Sequence, residues 1–562
     1  MSVRPARRPI ALATTAACCL LSLGSVAVAS PAAVPGQGTT PNPASGLALL
    51  RTDEAGQQTQ PLPSGVTNGN PFQDDTTIEP SIAVNPANPR EIVTGFQTGR
   101  DDAGGGIDNG FATSHDGGAA YTSGAMPGLT ATSPSPNAAY TRASDAVVTW
   151  GLGETVYYSS LVFDPSGANL RSAIVNSTSH DGGLHWDLPD IVQDDNGGGL
   201  NDKNWTVVDR SAAAGHHLGR VYVVWDRVAG VFTKYSDDGG KTWVPPSPLI
   251  VPLTYQSQGI GAIPVVLPSG GLSVIFETLV GAPPLGEIEV GEAQTGTTKF
   301  VAATAPLAGS TLSPAPIAFQ PAVSIATYQG TKVRGQRAGG LLDAEVDQVT
   351  GRIYATFESA APRSDGTNDV VLVHSDDSGT TWSLPVRVDG GPVDDQVDHY
   401  DPSVAVGPGS SVRVMWRQRQ ENASATPSSY SPYVSTWVAQ SLDGTTFAPA
   451  LQVDKGTNDV RYAAFSRGGT FQGDYDEMVT VGDTSYLVYC DAHSLTDTEA
   501  IPATPSATTV HHQRTIVSIV SPAVGENLPE FDHPALGLLA VIAAGSALLV
   551  PVGLRRRRAA RV

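Results

Sequence analysis

The sequence predicts an all-β fold assembled from copies of one unit, and two observations indicate it. In the body of the chain, short runs of β-branched and aromatic residues alternate with turns rich in Gly and Asp, without long helical periodicity. The pattern Ser-x-Asp-x-Gly-x-x-Trp also occurs at 179–186, 236–243 and 375–382, with variants ending in Tyr at 114–121 and in Phe at 441–447. A motif that recurs at intervals of about 60 residues, or twice that, is typical of an array of structural repeats.

A second repeat, an apolar hairpin, accompanies the Ser-x-Asp motif. Seven such hairpins are predicted, at 79–97, 144–161, 204–228, 262–279, 341–359, 401–418 and 475–493. The motif follows the first, second, third, fifth and sixth hairpins. Each unit therefore has two inner strands followed by two outer strands that meet at the motif. This organisation predicts a six- or seven-bladed β-propeller of four-stranded antiparallel blades.

We interpret the Ser-x-Asp motif as a folding device. An aspartate in a tight turn accepts hydrogen bonds from turn N–H groups, and the aromatic residue at the end packs between neighbouring sheets. A catalytic role for the motif would require five active sites, so the structural role is favoured. The residues concerned are Asp116, Asp181, Trp186, Asp238, Trp243, Asp377, Trp382 and Asp443.

The motifs "SHDGGLHW", "SDDGGKTW" and "SDDSGTTW" resemble the Asp-box (BNR) repeats of sialidases and related secreted propellers. The resemblance covers about residues 75–495. The flanking phrases "EPSIAVNPANPREIV", "DKNWTVVD" and "GDYDEMV" resemble a secreted bacterial subgroup described as sialidase-like. Asp-box propellers include enzymes, lectin-like modules and sorting receptors, so the resemblance implies the fold and leaves the activity open.

The resemblance to sialidases also implies a catalytic set. Members of that family hold a sugar carboxylate with three Arg and use a Tyr nucleophile supported by Glu together with an Asp acid/base. The Arg-Ile-Pro motif that carries the first of these arginines does not occur in this sequence. By loose resemblance, Asp101 is the candidate acid/base, and Tyr475 with Glu477 is the candidate nucleophile pair. Arg417, next but one to Arg419, is a candidate ligand of the carboxylate.

Acidic residues recur where the inner strands begin: Glu79, Asp145, Asp202, Asp343, Asp401, Asp474 and Asp476. We expect Asp202, Asp401 and Asp474 to meet across the mouth of the channel, with His399 beside them. Such carboxylates could hold Ca²⁺, which takes six to eight oxygen ligands, or receive sugar hydroxyls. Aspartate before a strand is also ordinary turn chemistry, so both interpretations stay open, and no cofactor is assigned.

Both ends of the chain have the pattern of targeting segments. A basic start, an apolar run and "AVA" at 27–29 predict an N-terminal signal peptide, and an uncharged apolar stretch before "RRRR" predicts a C-terminal membrane helix. The predicted segments are a signal peptide (1–29), a flexible leader (30–74), the propeller (75–525, with a loop or linker at 494–512), a stalk (526–534), a transmembrane helix (535–554) and a cytoplasmic basic tail (555–562). The protein is thus expected on the outer face of the cell, anchored in the membrane or, through "NLPEFD", in the wall.

The formal net charge of −21 excludes a nucleic-acid partner, because such a surface repels phosphate backbones. Cys490 stands alone after the signal peptide, which excludes an intrachain disulfide. The favoured hypothesis is a monomeric surface module that binds a carbohydrate or another cell-surface ligand. The alternatives are an exo-sialidase or other glycoside hydrolase, and a structural or adhesive surface protein.

Overall fold

A computed structural model describes the body of the chain. The described residues are 43–62, 72–165, 171–196, 200–227, 230–244, 247–248, 257–280, 299–306, 316–420, 431–456, 458–467, 469–496 and 498–523. The predicted signal peptide, stalk, transmembrane helix and basic tail lie outside these residues and stay predictions. Within the described ranges, no helix has the length and apolar character needed to cross a membrane.

The described residues form β-strands and a few single turns of 3-10 helix, which confirms the all-β prediction. The strands are β1 (Leu47–Gly56), β2 (Thr77–Val84), β3 (Ile92–Arg100), β4 (Gly106–Ser114), β5 (Thr122–Ala125), β6 (Arg142–Trp150), β7 (Val156–Asp164), β8 (Arg171–Ser179), β9 (Asp190–Asn196), β10 (Asn201–Val208), β11 (Val221–Arg227), β12 (Gly230–Ser236), β13 (Ser247–Pro248), β14 (Ser257–Val266), β15 (Leu272–Val280), β16 (Lys299–Ala305), β17 (Val323–Thr327), β18 (Gln336–Arg337), β19 (Asp343–Val346), β20 (Ile353–Ser359), β21 (Asp369–Ser375), β22 (Val386–Arg387), β23 (Val397–Val406), β24 (Val412–Gln420), β25 (Val434–Ser441), β26 (Leu451–Gln452), β27 (Ala464–Ser466), β28 (Gly469–Phe471), β29 (Glu477–Val481), β30 (Thr484–Ala492) and β31 (Gln513–Pro522).

Four-stranded antiparallel units make up most of the described fold. Five are separate sheets: β10–β13, β14–β17, β19–β22, β23–β26, and β29, β30, β31 with β1. Two more, β2–β5 and β6–β9, are joined into one sheet by the single pair of Gly106 with Ala143. Each of the seven predicted hairpins coincides with the first two strands of one unit. A separate small sheet consists of β27, β28 and β18, of which β18 and β28 run parallel.

The first strands of the seven units lie side by side around an axis. In order they are β2, β6, β10, β14, β19, β23 and β29, each in contact with the next, and β29 contacts β2. All seven contribute residues to the wall of a cavity of about 700 Å³. The starts of these strands are therefore brought together at one end of the cavity.

Strand β1 corrects the prediction that residues 30–74 are a flexible leader. It pairs antiparallel with β31 from Leu47 opposite Pro522 to Gly56 opposite Thr515, and so forms the outer strand of the unit that contains β29. As an outer strand it leaves its charged middle partly exposed, and it therefore lacks the apolar alternation by which a strand is recognised. Pairing with β31, a partner more than 450 positions away, makes this segment part of the fold.

In each of the five Ser-x-Asp turns, the serine and the aspartate bind the turn in the same way. In one of them, Asp238 Oδ1 accepts hydrogen bonds from the N–H of Thr242 (2.9 Å) and from the hydroxyl of Ser236 (2.8 Å). The Ser236 oxygen in turn accepts from the N–H of Gly240 (2.9 Å). Gly240 has a φ of 86°, and a Cβ there would lie 2.6 Å from Nδ2 of Asn176 in the preceding unit. The turn thus requires glycine both for its backbone angle and for its close contact. Equivalent bonds to the aspartate form at Asp116, Asp181, Asp377 and Asp443.

The tryptophans that follow these turns pack between neighbouring units. The ring of Trp186 lies 5.5 Å from that of Tyr158 and 5.9 Å from that of Phe111, which belongs to the preceding unit. Trp243 packs against residues of the second and third units, among them Tyr157 and Val221. Trp382 packs in the same manner between the fourth and fifth units. All three rings remain partly exposed.

We predict that Asp238→Ala lowers the free energy of unfolding by about 1–2 kcal/mol, because it leaves turn N–H groups without their acceptor. Trp243→Ala should cost about 2–4 kcal/mol, less than a fully buried tryptophan, because part of the ring is exposed. Thermal unfolding of the two variants checks both values. Lys241→Ala, in the same turn and exposed, is the matched control and should unfold like the parent. An Asp238→Ala protein with an unchanged melting temperature would contradict the folding role.

Candidate functional site

The first strands of several units share a β-bulge at the same position. The pairing register shifts between Ile78 and Ser81 in β2, and equivalent shifts occur in β6, β10, β14 and β23. The backbone is left-handed at each bulge, with φ of 51° at Glu79, 47° at Asp145, 43° at Lys203, 65° at Gly261 and 48° at Asp401. A non-glycine residue in this conformation costs on the order of 1 kcal/mol, and such strain often accompanies a functional site. Bulges redirect side chains, and here they direct charged ones to the ends of the strands.

The bulges of β2, β6 and β10 border a cavity of about 100 Å³, which we call the mouth cavity. We call the carboxyl groups of Glu79, Asp145 and Asp202 in its lining the acidic wall. We call the guanidinium groups of Arg100, Arg337 and Arg467 in the same lining the guanidinium wall. Lys203 and Asp474 also line the cavity.

Lys203 occupies the middle of the acidic wall. Its backbone N–H donates to Oδ1 of Asp202 (3.0 Å) and to Oδ2 of Asp145 (3.3 Å). Its Nζ lies 3.8 Å from the centre of the Tyr475 ring. The residue is only 8 % exposed, yet among the described residues its ammonium has no hydrogen-bond partner. The ammonium of Lys203 therefore supplies positive charge beside the carboxyl groups of the acidic wall.

Burial changes the protonation of the acidic wall. It raises the pKa of Glu79 to about 7 and that of Asp145 to about 7, while the charge of Lys203 opposes the rise in both. Burial also raises the pKa of Asp202 and, together with Asp202 and Asp145, that of Asp226 behind it. Near neutral pH the wall is therefore partly protonated and can both donate and accept protons.

The guanidinium wall is held by the small sheet of β18, β27 and β28. Arg100 and Arg337 both lie over the ring of Phe471, at 4.5 and 4.4 Å from its centre. Both donate to the hydroxyl of Ser466, at 3.2 and 3.0 Å, and Arg337 also pairs with Asp474 (2.8 Å). Burial and the charge of Arg337 lower the pKa of Arg100 to about 10.

The third guanidinium, of Arg467, donates to the carbonyl oxygen of Ala103 (2.7 Å) in the loop after β3. Neither Arg337, Arg467 nor Lys203 was predicted from the sequence. The small sheet consists of strands two or three residues long, which carry no hydrophobic periodicity. One of them, β18, also lies more than 120 positions before the other two, so nothing local signals that they meet.

The predicted binding residues divide between two neighbouring cavities. Asp202 and Asp474 line the mouth cavity together. Asp401 lines an adjoining cavity of about 20 Å³, which it shares with Lys203, Asp474 and Tyr475. Asp401 accepts a hydrogen bond from the N–H of Gly339 (2.8 Å), and burial raises its pKa well above the usual range.

His399 does not lie beside these carboxylates, and that expectation is corrected. Its Nδ1 is 3.4 Å from Oδ1 of Asp369 and its Nε2 is 3.8 Å from Oδ2 of Asp389. Among the described residues these three form the one group of potential metal ligands that lie close together. Asp369, however, already accepts from Arg363 (2.8 Å) and Arg387 (2.7 Å), and the two guanidinium groups disfavour a cation there. We therefore regard this group as an internal ion-pair network.

Tyr475 and Glu477 do not form a pair at one site. Tyr475 precedes β29, so regular strand alternation does not relate it to Glu477. Burial raises the pKa of its hydroxyl well above the usual range, which opposes a nucleophilic role, and its ring packs against that of Trp205 (5.4 Å). Glu477 lines the 700 Å³ cavity instead, where its Oε2 accepts from the N–H of Ile82 (2.8 Å) and burial raises its pKa to about 8.

The two remaining catalytic candidates are held by internal partners. Arg417 is buried and donates to the carbonyl of Cys490 and to Oε1 of Gln472, both at 2.9 Å, and it lines neither the mouth cavity nor the adjoining one. Asp101 is buried and pairs with Arg142 at 2.7 Å. The arrangement implied by the sialidase resemblance is therefore not reproduced by these residues.

The Ca²⁺ hypothesis meets a physical objection at the mouth cavity. A calcium ion would need the oxygens of the acidic wall, but the ammonium of Lys203 already lowers the pKa of all three of these carboxyls through its positive charge. The raised pKa values of Glu79 and Asp145 also keep these carboxyls partly protonated near neutral pH, whereas Ca²⁺ requires ionised ligands. The residues present do not fit a bound calcium ion.

Comparisons with known proteins were made by family, by sequence and by structure. No protein-family model matches the chain, and no curated protein matches it. Among solved structures, a protein of unknown function from Dyadobacter fermentans aligns at 14% identity and a TM-score of 0.39, over 85% of this chain and 100% of its own. The α-L-arabinanase of Penicillium chrysogenum aligns at 11% identity and 0.41, over 84% and 98%. The NanB sialidase of Streptococcus pneumoniae aligns at 10% identity and 0.39, over 66% and 68%. Likenesses at this level do not establish a shared activity.

The raised carboxyl pKa values predict how stability depends on pH. Between about pH 4 and pH 7 the unfolded chain loses the protons of Glu79 and Asp145, whereas the folded protein keeps them. The contribution of these two carboxyls to the free energy of unfolding should therefore fall as the pH rises through this range and become level above it. For each carboxyl the fall should be about 1.4 kcal/mol per pH unit between its pKa in the unfolded chain and its pKa in the folded protein.

Thermal melts from pH 5 to pH 8 check this slope. Glu79→Gln should reduce the slope, because glutamine cannot ionise. Asp483→Asn, an exposed carboxylate at a hairpin turn, is the control and should leave the slope as in the parent. A Glu79→Gln protein with the full slope of the parent would show that Glu79 titrates normally.

Proposed function

We propose that the chain is a seven-bladed β-propeller of the Asp-box type whose mouth cavity binds a carbohydrate that carries an acidic group. The seven four-stranded units and the ring of first strands support the architecture. The observation that carries the ligand assignment is the convergence of three guanidinium groups on a cavity whose lining also bears carboxyls.

The chemistry of the two walls fits such a ligand. Guanidinium groups bind carboxylate, sulfate or phosphate oxygens through parallel N–H donors, and two of them are held in place here by Phe471 and Ser466. The hydroxyl groups of a sugar both donate and accept hydrogen bonds, which suits an acidic wall that is partly protonated. The unpartnered ammonium of Lys203 adds a donor to the same cavity.

Hydrolysis of the bound glycoside is the second candidate, and the acidic wall favours it. A general acid needs a carboxyl that keeps its proton near neutral pH, as Glu79 and Asp145 do. Glycoside hydrolases commonly use a pair of carboxyl groups at the bond that breaks. In this proposal Glu79 and Asp145, rather than Tyr475 and Glu477, carry the proton transfers.

The cellular setting is proposed from the sequence. The predicted signal peptide (1–29) and apolar span (535–554) would expose the propeller outside the cell on a C-terminal anchor. An acidic glycan on a neighbouring surface would then be within reach of the mouth cavity. A purely structural or adhesive role finds less support, because it gives no reason to bury unpaired charge at the mouth.

Binding to a glycan array that holds sialylated, uronic-acid and neutral glycans tests the proposal. We expect the protein to select acidic glycans, and Arg467→Gln, which removes the least buried guanidinium of the wall, to lower the affinity at least tenfold. Arg352→Gln is the matched control, since Arg352 is a partly exposed arginine paired with Asp376 at a distant Ser-x-Asp turn. Selection of neutral glycans, or equal loss in both variants, would refute the assignment.

Turnover of fluorogenic sialosides and glucuronides separates the enzyme from the binding module. If the protein is a hydrolase of this kind, Asp145→Asn and Glu79→Gln should each lower kcat by 100-fold or more. Tyr475→Phe should leave kcat within a fewfold of the parent, because its hydroxyl is not part of the mouth cavity. Binding without turnover would favour the module.

A further inference from the structure

The strongest unexplained feature of the described residues is the buried lysine of the acidic wall. A buried ammonium normally forms ion pairs or several hydrogen bonds, because leaving it unpaired is costly. Among the described residues, Nζ of Lys203 has no hydrogen-bond partner and no carboxylate oxygen within ion-pair distance. A lysine with a purely structural role would not be left in this state.

The position of Lys203 is fixed by the backbone and by an aromatic ring. Its φ of 43° places it at the bulge of β10, and its N–H is held by Asp202 and Asp145. The ring of Tyr475 lies 3.8 Å from Nζ and stabilises the ammonium through a cation–π contact. The ring of Trp205 supports Tyr475 in turn at 5.4 Å. The ammonium of Lys203 is therefore held in a fixed position beside the acidic wall.

Charged groups from every surrounding element face this point. The carboxyls are Glu79 of β2, Asp145 of β6, Asp202 of β10, Asp226 of β11 and Asp474 before β29, and the guanidinium groups are Arg100 of β3, Arg337 of β18 and Arg467 between β27 and β28. Arg337 pairs with Asp474, Arg100 and Arg337 donate to Ser466, and Arg467 donates to the carbonyl of Ala103. Arg100 also opposes the rise in the pKa of Glu79. Lys203 is the cation that acts on Glu79, Asp145, Asp202 and Asp226 together.

We propose that Lys203 is a positioning residue that sets how many protons the acidic wall holds, and thereby the pH range in which the mouth cavity accepts an acidic ligand. Removing its charge would leave four neighbouring carboxyls to repel one another, and they would keep their protons to higher pH. The consequence for the ligand rests on the proposed function, whereas the proton count does not. Above the pH at which the wall ionises, its negative charge repels an anionic ligand and affinity falls.

Lys203→Met and Lys203→Arg test the proposal without any ligand. Methionine keeps much of the apolar length and removes the charge, whereas arginine keeps the charge. In thermal melts from pH 5 to pH 10, the loss of stability of Lys203→Met relative to the parent should be constant up to about pH 7 and grow above it, because the acidic wall of the variant keeps its protons to higher pH. The difference between Lys203→Arg and the parent should not change with pH. A loss of stability in Lys203→Met that is the same at every pH would show a structural role only and overturn the proposal.

A double-mutant cycle covers the case in which Lys203→Met folds poorly. With Glu79→Gln as background, one carboxyl is absent, so Lys203→Met should destabilise the protein less than it does in the parent. Equal destabilisation in both backgrounds would overturn the coupling between Lys203 and the acidic wall.

Binding of a sialylated or uronic-acid oligosaccharide from the array supplies the second readout. The affinity of the parent should fall as the pH rises above about 7, and the midpoint of that fall should move upward in Lys203→Met and not in Lys203→Arg. A midpoint that is the same in all three proteins would overturn the link to the ligand. A shifted stability profile with no glycan bound by any of them would refute the proposed function and leave the role of Lys203 in the proton count intact.

Discussion

The pairing of β1 with β31 is the contact on which the rest of the arrangement depends. It joins a segment near the start of the described chain to one near its end, within the same sheet as β29 and β30. Because β29 also contacts β2, this sheet links the last unit to the first. In such a ring each unit is stabilised by its neighbours, so one closing sheet holds all of them in register.

The closure of the ring also brings charged residues at the starts of the inner strands close together. Several inner strands begin with an acidic residue at a left-handed bulge, and the ring directs these groups toward a common space. Burial raises the pKa of these carboxyls, and the cation of Lys203 limits the rise. The structure therefore contains a partly protonated acidic surface at neutral pH, which an open chain in water would not have.

The same ring separates groups that the sequence places side by side. Tyr475 and Glu477 are two positions apart, yet one lines the small cavity near the mouth and the other the 700 Å³ cavity. His399 is two positions from Asp401, yet its imidazole faces Asp369 and Asp389. Successive residues of a regular strand point to opposite faces, so residues two positions apart normally share a face. A bulge or the end of the strand interrupts this alternation, and the two side chains then point in different directions.

The sequence by itself determined the all-β class, the seven hairpins and the chemistry of the Ser-x-Asp turns, because each of these depends on contacts between residues near one another in the chain, such as Asn201 with Arg227. It also identified Asp202 and Asp474 as acidic starts of inner strands. Only the tertiary structure decided that β1 belongs to the fold and that Arg337, Arg467 and Lys203 share a cavity with those aspartates. The three cations come from segments that lie far apart in the chain, although Lys203 adjoins Asp202, and the closure of the ring that brings them together leaves no local pattern in the sequence.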